Sequence, residues 1–458
     1  MSGQVSDRGL AASGTTYYVD AESGNDQNDG QGPSKAWRTL ARVNAAKLEP
    51  GDAVLLKRGQ VWNESLVPTS AGADSAPITF AAYGSGAAPV LDGSVSFTSL
   101  HWTEEKPHVW SAPLPSDGDR KPERIFIDGR PLADKFLRAS ATVLRAEKEW
   151  TWEPRDGGTL IVYSEEAPIT WGTRVEVNVR RHGLQLGTKS YINVKGLQLR
   201  RFREGMYIGG NRCEIEDVVS TENSFSGFTI SGSTNRLFRV EASRNGIDAT
   251  AGDTDAHGIG VLIDGYGEAR GSDNEVTDLV ANDNSEDGIQ TGPRAGNGNR
   301  FYNARMKGNR ENCIDIKAGD QAVIGGELSS DAETSADCIL VHKVPHRVLI
   351  RDAKVVSTTK GPAVTVLQGA TVDIANSDLE ADDSSAILLG DEAGDGSKIL
   401  ATKITGGGKR SKSLIEIRAG RGHVIEGNTI TTSAGIEAVK IGPAAAAAIR
   451  ANEIKNGN

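Results

Sequence analysis

NRCEIEDVVSTENSFSGFTISGSTNRLFRVEASRN, residues 211–245, says nearly the same thing twice. NRCEIEDVVSTEN (211–223) and NRLFRVEASRN (235–245) both open on Asn-Arg and close on Asn, and GFTIS (227–231) stands between them. In GFTIS the second and fourth residues are apolar and the third is polar, the alternation of a short strand with one buried face. Its copies extend both ways: GMYIG at 205, GIGVL at 258, GIQTG at 288, CIDIK at 313, CILVH at 338, PAVTV at 362, AILLG at 386, LIEIR at 414 and AVKIG at 438. Their spacing of 22 to 31 residues is a solenoid period. The Asn-bounded phrase recurs as NEVTDLVANDN (274–284) and NRFYNARMKGN (299–309). Asn tolerates left-handed backbone, and its amide can stack on the next turn. Coils of two or three short strands, stacked about 4.8 Å apart, predict an all-β, right-handed parallel β-helix. A β-propeller repeats at about 40 to 50 residues with aromatic signatures, which this chain lacks.

The ends read differently. AWRTLARVNAAKL (36–48) has helical spacing and is expected to cap the open end of the core, as terminal repeats must. Residues 99–180 break the period and hold five of the seven tryptophans, which implies a β-rich insertion with a small core of its own or a sugar-stacking wall. The expected organisation is therefore 1–98 for the cap and first coils, 99–180 for the insertion and 181–458 for the β-helix. The last residues, PAAAAAIRANEIKNGN, read as a final coil with a weakly specified end.

Composition agrees with short strands and frequent turns: 54 glycines and only 5% aromatic residues. A net charge of −10 argues against a nucleic-acid partner, and an anionic polymer would need a local cationic cluster or a bound cation. Cys213, Cys313 and Cys338 are too few for a disulfide scaffold and lack zinc-ligand spacing; the last two occupy matching positions and read as stacked core residues. No apolar run is long enough to span a bilayer, so no membrane partner is expected. MSGQVSDRGLAASG (1–14) has no signal-peptide core, yet a secreted or periplasmic monomer is expected.

In-register coils turn matching positions into columns. Before the strand the column reads Glu204, Ser226, His257, Asp287, Asn312 and Asp337, with Asp255, Glu286 and Glu311 close by. The next outward column reads Tyr207, Thr229, Gly260, Gln290, Asp315 and Leu340; beyond it stand Gly209, Ser231, Leu262, Gly292, Lys317 and His342. Ionisable groups thus gather on the coils at 258, 288 and 313. In NDNSEDGIQTG (282–292), Glu286 and Asp287 repel unless a cation lies between them, and Ca²⁺ suits such oxygen-rich loops. Asp255 and Asp315 are the expected further ligands. Lys317 projects beside these acids, where it serves as a base or as an ion-pair partner. His257 reads as ligand, acid/base or loop residue.

NSEDGIQ (284–290) and NCIDIK (312–317) resemble two motifs of right-handed parallel β-helix polysaccharide lyases, in particular the family-nine pectate lyases. The resemblance implies Glu286 and Asp287 as Ca²⁺ ligands and Lys317 as the base that removes the proton α to a uronate carboxylate. If the chain is such a lyase, His257 and Arg294 are expected as further catalytic groups, and Tyr207, Arg310, His342 and Lys343 as contacts to an acidic polysaccharide. Gln290 stands where that pattern has another carboxylate. Two other readings share the fold: a glycoside hydrolase using Asp287 and Asp315, or a uronate epimerase. A noncatalytic carbohydrate-binding or adhesin solenoid is the reading outside enzymology.

Overall fold

The computed structural model describes residues 14–97, 101–114, 121–133, 137–172, 174–247, 258–331, 337–407 and 412–456. Among them the repeats wind into an all-β parallel solenoid with little helix. A sheet of 23 strands takes the GFTIS-like copies along one side, an eight-stranded sheet runs from Val280–Asn282 to Glu453–Asn456, and a four-stranded sheet joins Val61–Trp62, Val90–Asp92, Gln198–Arg200 and Val219–Thr221. The inward residues of all coils form one apolar cluster from Val19 to Ile430.

What sets the coil spacing is visible at the glycines that open these strands. A Cβ at Gly227 would sit 2.7 Å from the Gly260 carbonyl oxygen, and one at Gly288 the same distance from the Cys313 oxygen. Gly260 therefore belongs under Gly227, and the register is Ser226↔Ile259 and Thr229↔Leu262. This corrects the sequence columns by two residues on this coil. GIGVLI offers two glycines, and the second takes the column: a Cβ at Gly260 would strike the Gly288 carbonyl oxygen, whereas one at Gly258 would meet the carbonyl of Asn245 instead. Leu262, not Gly260, shares a column with Gln290. Buried Ile259 takes the place expected for His257. His257 and Asp255 themselves lie outside the described residues.

The boundary asparagines build two internal ladders. Asn223, Asn245, Asn284 and Asn309 form one: each donates from Nδ2 to the Oδ1 of the next, at 2.9 to 3.1 Å, and each of these oxygens also takes the preceding asparagine's backbone N–H. Asn235, Asn274 and Asn299 make the second. These amides are buried, so the ladder satisfies backbone groups at bends where no sheet can.

The helix covers only Leu40–Asn44. Trp37 is held in a bridge to Val19, and the Thr39 hydroxyl accepts from the Arg42 N–H, which fixes the start at Leu40. Leu40 and Val43 enter the main core. Between Ser94 and Asn178 the described strands pair antiparallel in two four-stranded sheets with a separate core that includes Trp102 and Trp150. At the far end Ser413–Glu426 and Glu437–Arg450 pair as two long strands instead of a frayed coil. Cys313 and Cys338 stack in the core as expected, with their sulfurs 2.8 Å apart. No helix among the described residues is long and apolar enough to cross a membrane.

Replacing Asn284 by Ala takes the acceptor from the Asn245 N–H and the amide donor from the Ala242 carbonyl, and leaves the Asn245 amide and the Asn309 Oδ1 each with one partner fewer. The expected loss is about 3 kcal/mol, read as a lower denaturation midpoint than that of the exposed-site control Lys398→Ala.

Candidate functional site

Three successive strands, Ile259–Ile263, Ile289–Thr291 and Ile314–Ile316, present the ionisable columns, with Ile339–Val341 completing the surface. Their register puts Gln290 beside Asp315, and Asp315 beside Leu340. Outward side chains of adjacent parallel strands are neighbours across one strand spacing, so residues 25 apart in sequence meet.

Asp315 is the hub. Lys317 Nζ lies 3.0 Å from its Oδ2 and His342 Nε2 lies 2.9 Å from its Oδ1. Asp315 is 4% exposed, and the Lys317 side chain retains 18%. Lys317 and His342 thus come together as predicted, but around Asp315. Asp315, expected as a metal ligand, has each of its two oxygens on a nitrogen partner.

Asp287 lies one coil back and is fully buried. It accepts from the Asn312 backbone N–H and Nδ2 at Oδ1, and from Gln290 Nε2 at Oδ2. Burial is the largest influence and raises its pKa well above the carboxylate range; the charges of Asp315 and Glu286 add to this, while Gln290 and Asn312 oppose it. Gln290, the departure from the lyase pattern, therefore serves as an amide donor to the acidic pair. Glu286, Asp287 and Glu311 bring carboxylate oxygens within 4.8 Å of one another. A hard cation fits this donor set, and the buried Oδ1 of Asn312, which has no hydrogen-bond partner, adds an uncharged oxygen next to Asp287. Among the described residues the group so gathered is Glu286, Asp287 and Glu311; of the other expected ligands, Asp315 stands outside it and Asp255 lies outside the described residues.

Asp337, in the pre-strand column, completes the cluster. Thr365 Oγ1 donates to it at 2.9 Å. Burial pushes its pKa up to about 6; Thr365 and His342 act against that, and Asp315 adds to it. Asp337 was legible as a column member and Glu311 as a residue close to that column, but nothing in the sequence ranked them above their neighbours.

The remaining predicted residues spread along the same face. Tyr207 donates to or accepts from the Ser231 hydroxyl at 2.8 Å, and with Arg294 it lines a cleft of about 400 Å³ on the preceding coils. Glu204, also on this cleft, lies 3.5 Å from His182 Nε2. Lys343 is an exposed turn residue, and Arg310, half-buried, follows the ladder with its N–H on the Asn284 carbonyl. Tyr266, 73% exposed on the cleft, sits in a turn outside the repeat and carried no periodic signal.

No protein-family model matches the chain. A curated lacto-N-biosidase of Bifidobacterium longum is 44% identical over 77 residues, which are 16% of this chain and 5% of that protein. The chain thus spans about a twentieth of the length of the curated relative it matches. Among solved structures, a complex of XylC with xylose aligns over 93% of this chain and 76% of its own at 13% identity and a TM-score of 0.53. Pectate lyase Pel9A aligns over 83% and 78% at 17% identity and a TM-score of 0.48. The likeness to XylC is one of fold, the parallel β-solenoid that the lyase-like motifs implied.

For Asp337 the folded pKa of about 6 lies above the unfolded value, so protonation favours folding. Its contribution is complete below about pH 4 and is lost as pH rises through 6. Asp337→Asn, which keeps the acceptor for Thr365, is expected to stabilise the protein by about 2 kcal/mol near neutral pH and to change nothing below about pH 4. Thermal denaturation of both proteins across that range checks this.

Proposed function

We propose that this chain is a glycan-cleaving enzyme of the hydrolase type, with Asp315 and Asp337 as its carboxyl pair. The observation that carries the reading is the contrast between them. Asp315 is clamped by Lys317 and His342, while Asp337 beside it holds its proton up to about pH 6. Glycoside cleavage needs one carboxylic acid and one carboxylate flanking the bond, with environments that separate their roles. In this scheme Asp337 gives its proton to the leaving glycosidic oxygen. Asp315 stabilises the positive charge developing at the anomeric carbon and takes a proton from the water whose oxygen bonds to that carbon as the glycosidic bond breaks. Lys317 and His342 act by positioning Asp315; the Lys317 amine is engaged by that carboxylate, which supports a positioning role over that of a base. The 77-residue match to a lacto-N-biosidase supports a glycan substrate. A polymeric glycan would be met outside the cytoplasm, which keeps a secreted or periplasmic protein within the proposal.

The Glu286, Asp287 and Glu311 triad favours a second reading, Ca²⁺-assisted elimination or epimerisation of a uronate. Ca²⁺ held there would withdraw charge from a substrate carboxylate and so acidify the carbon beside it. Lys317 would then be the base, and it would have to leave Asp315 to act.

Products decide between them. Hydrolysis yields new reducing ends without the ultraviolet absorbance of an unsaturated uronyl group, and is unaffected by chelation. Asp315→Asn and Asp337→Asn are each expected to lower kcat by about 10³-fold. The wild-type rate should fall as pH rises through 6, and that limb should vanish in Asp337→Asn. Unsaturated product that needs Ca²⁺ and Lys317 would overturn the hydrolase reading.

A further inference from the structure

The cleft on the preceding coils is a feature that this carboxyl chemistry does not use. It lies over Tyr207, Thr229 and Leu262, the column that continues through Gln290 to Asp315. Two strand spacings separate Leu262 from Asp315, about 10 Å along the axis. One extended chain laid along the sheet would therefore occupy both places.

Three arginines and two carboxylates line the cleft: Arg181, Arg203 and Arg294 against Glu204 and Asp264. Both carboxylates are committed to the protein. Burial works to raise the pKa of Glu204, but His182 and Thr229 engage the carboxylate and hold it below the usual range. Asp264 accepts the backbone N–H groups of Gly265 and Arg294 at 2.8 and 3.0 Å, with the Arg294 guanidinium farther off at 3.4 Å. The side chains of Arg181 and Arg294 are 60% and 62% exposed. Arg181 Nε lies 3.7 Å from Glu204, a long contact of the same kind, and Arg203, the least exposed of the three, pairs with Glu123 at 3.6 Å. The two outward guanidiniums are therefore the cationic groups that a ligand meets here, on a chain of net charge −10. Tyr266 adds a water-exposed aromatic face at the same cleft, of the kind on which a sugar ring stacks.

We infer that this cleft is a subsite for one anionic sugar residue of the glycan cleaved at Asp315, with Tyr266 as its stacking platform and Arg181 and Arg294 as its charge readers. The inference rests on the proposed function for its polymer but not for its binding, and the two fail separately.

Binding is therefore measured on Asp315→Asn, by titration calorimetry. The probes are disaccharides ending in glucuronate, galacturonate or N-acetylneuraminate, each beside its neutral counterpart. At least one charged probe is expected to bind about tenfold more tightly than its neutral counterpart, a ratio that falls to near one at about 0.5 M salt. Adding Arg181→Gln with Arg294→Gln should remove the preference, and Tyr266→Ala should weaken both members of the pair about fivefold. Equal binding of every charged and neutral pair overturns the inference, as does a preference that survives high salt or the double arginine variant. Charge-selective binding alongside a wild-type enzyme that cleaves no glycan would overturn the hydrolase reading while upholding the subsite.

Discussion

The stacking of one strand directly on the next, with a glycine where a Cβ would strike the neighbouring carbonyl, is the constraint on which everything else depends. Gly205, Gly227, Gly260 and Gly288 form that column. Close approach there permits continuous backbone pairing through the large sheet, and pairing in register converts sequence spacing into columns of side chains. The asparagine ladders do the same work at the bends. They replace sheet hydrogen bonds with amide bonds of the same coil-to-coil direction, so no buried N–H is abandoned where the chain turns.

Carboxylates on neighbouring coils of so regular a frame cannot relax by moving apart. Each acid at the site has instead found a different answer. Asp315 takes two nitrogen partners, Asp287 is surrounded by amide donors and favours its proton, and Asp337 is half-buried with a single hydroxyl donor. Rigidity is thus what keeps the pKa values of Asp287 and Asp337 raised. In a flexible loop, water and small displacements would return both towards ordinary carboxylates.

Rigidity and register also explain how far the amino-acid sequence could be read. Strand alternation and the period are local properties, so the solenoid, the stacked cysteines and the asparagine ladders are legible in the order of residues alone. The columns depend on register, and one coil with two candidate glycines was enough to place Gly260 and His257 two residues out. Partner choice was less legible still. Asp315, Lys317 and His342 were correctly gathered from their columns, but whether Lys317 faces a cation, a substrate or Asp315 depends on side-chain direction across a gap of about 4.8 Å. That Glu311 gathers with Glu286 and Asp287 was hidden for the same reason. The helix was overestimated because Trp37, apolar and helically spaced, pairs with Val19 in the first coil. Tyr266 and its turn lie outside the repeat, where periodicity carries no information.

A parallel solenoid offers a linear ligand something that a globular fold does not, a surface whose chemistry changes in steps of one strand spacing along a straight axis. On this chain the cleft with its arginines and Tyr266 draws on residues from Arg181 to Arg294, and Asp315 and Asp337 lie on the coils that follow. Separating them along the axis keeps the arginines from adding further ion pairs to Asp337, which would depress the pKa that its partial burial raises. The same separation lets an acidic protein attract a charged polymer locally without a favourable overall field. Binding charge and acid chemistry are thus compatible on one face because the coils hold them at fixed distances from each other.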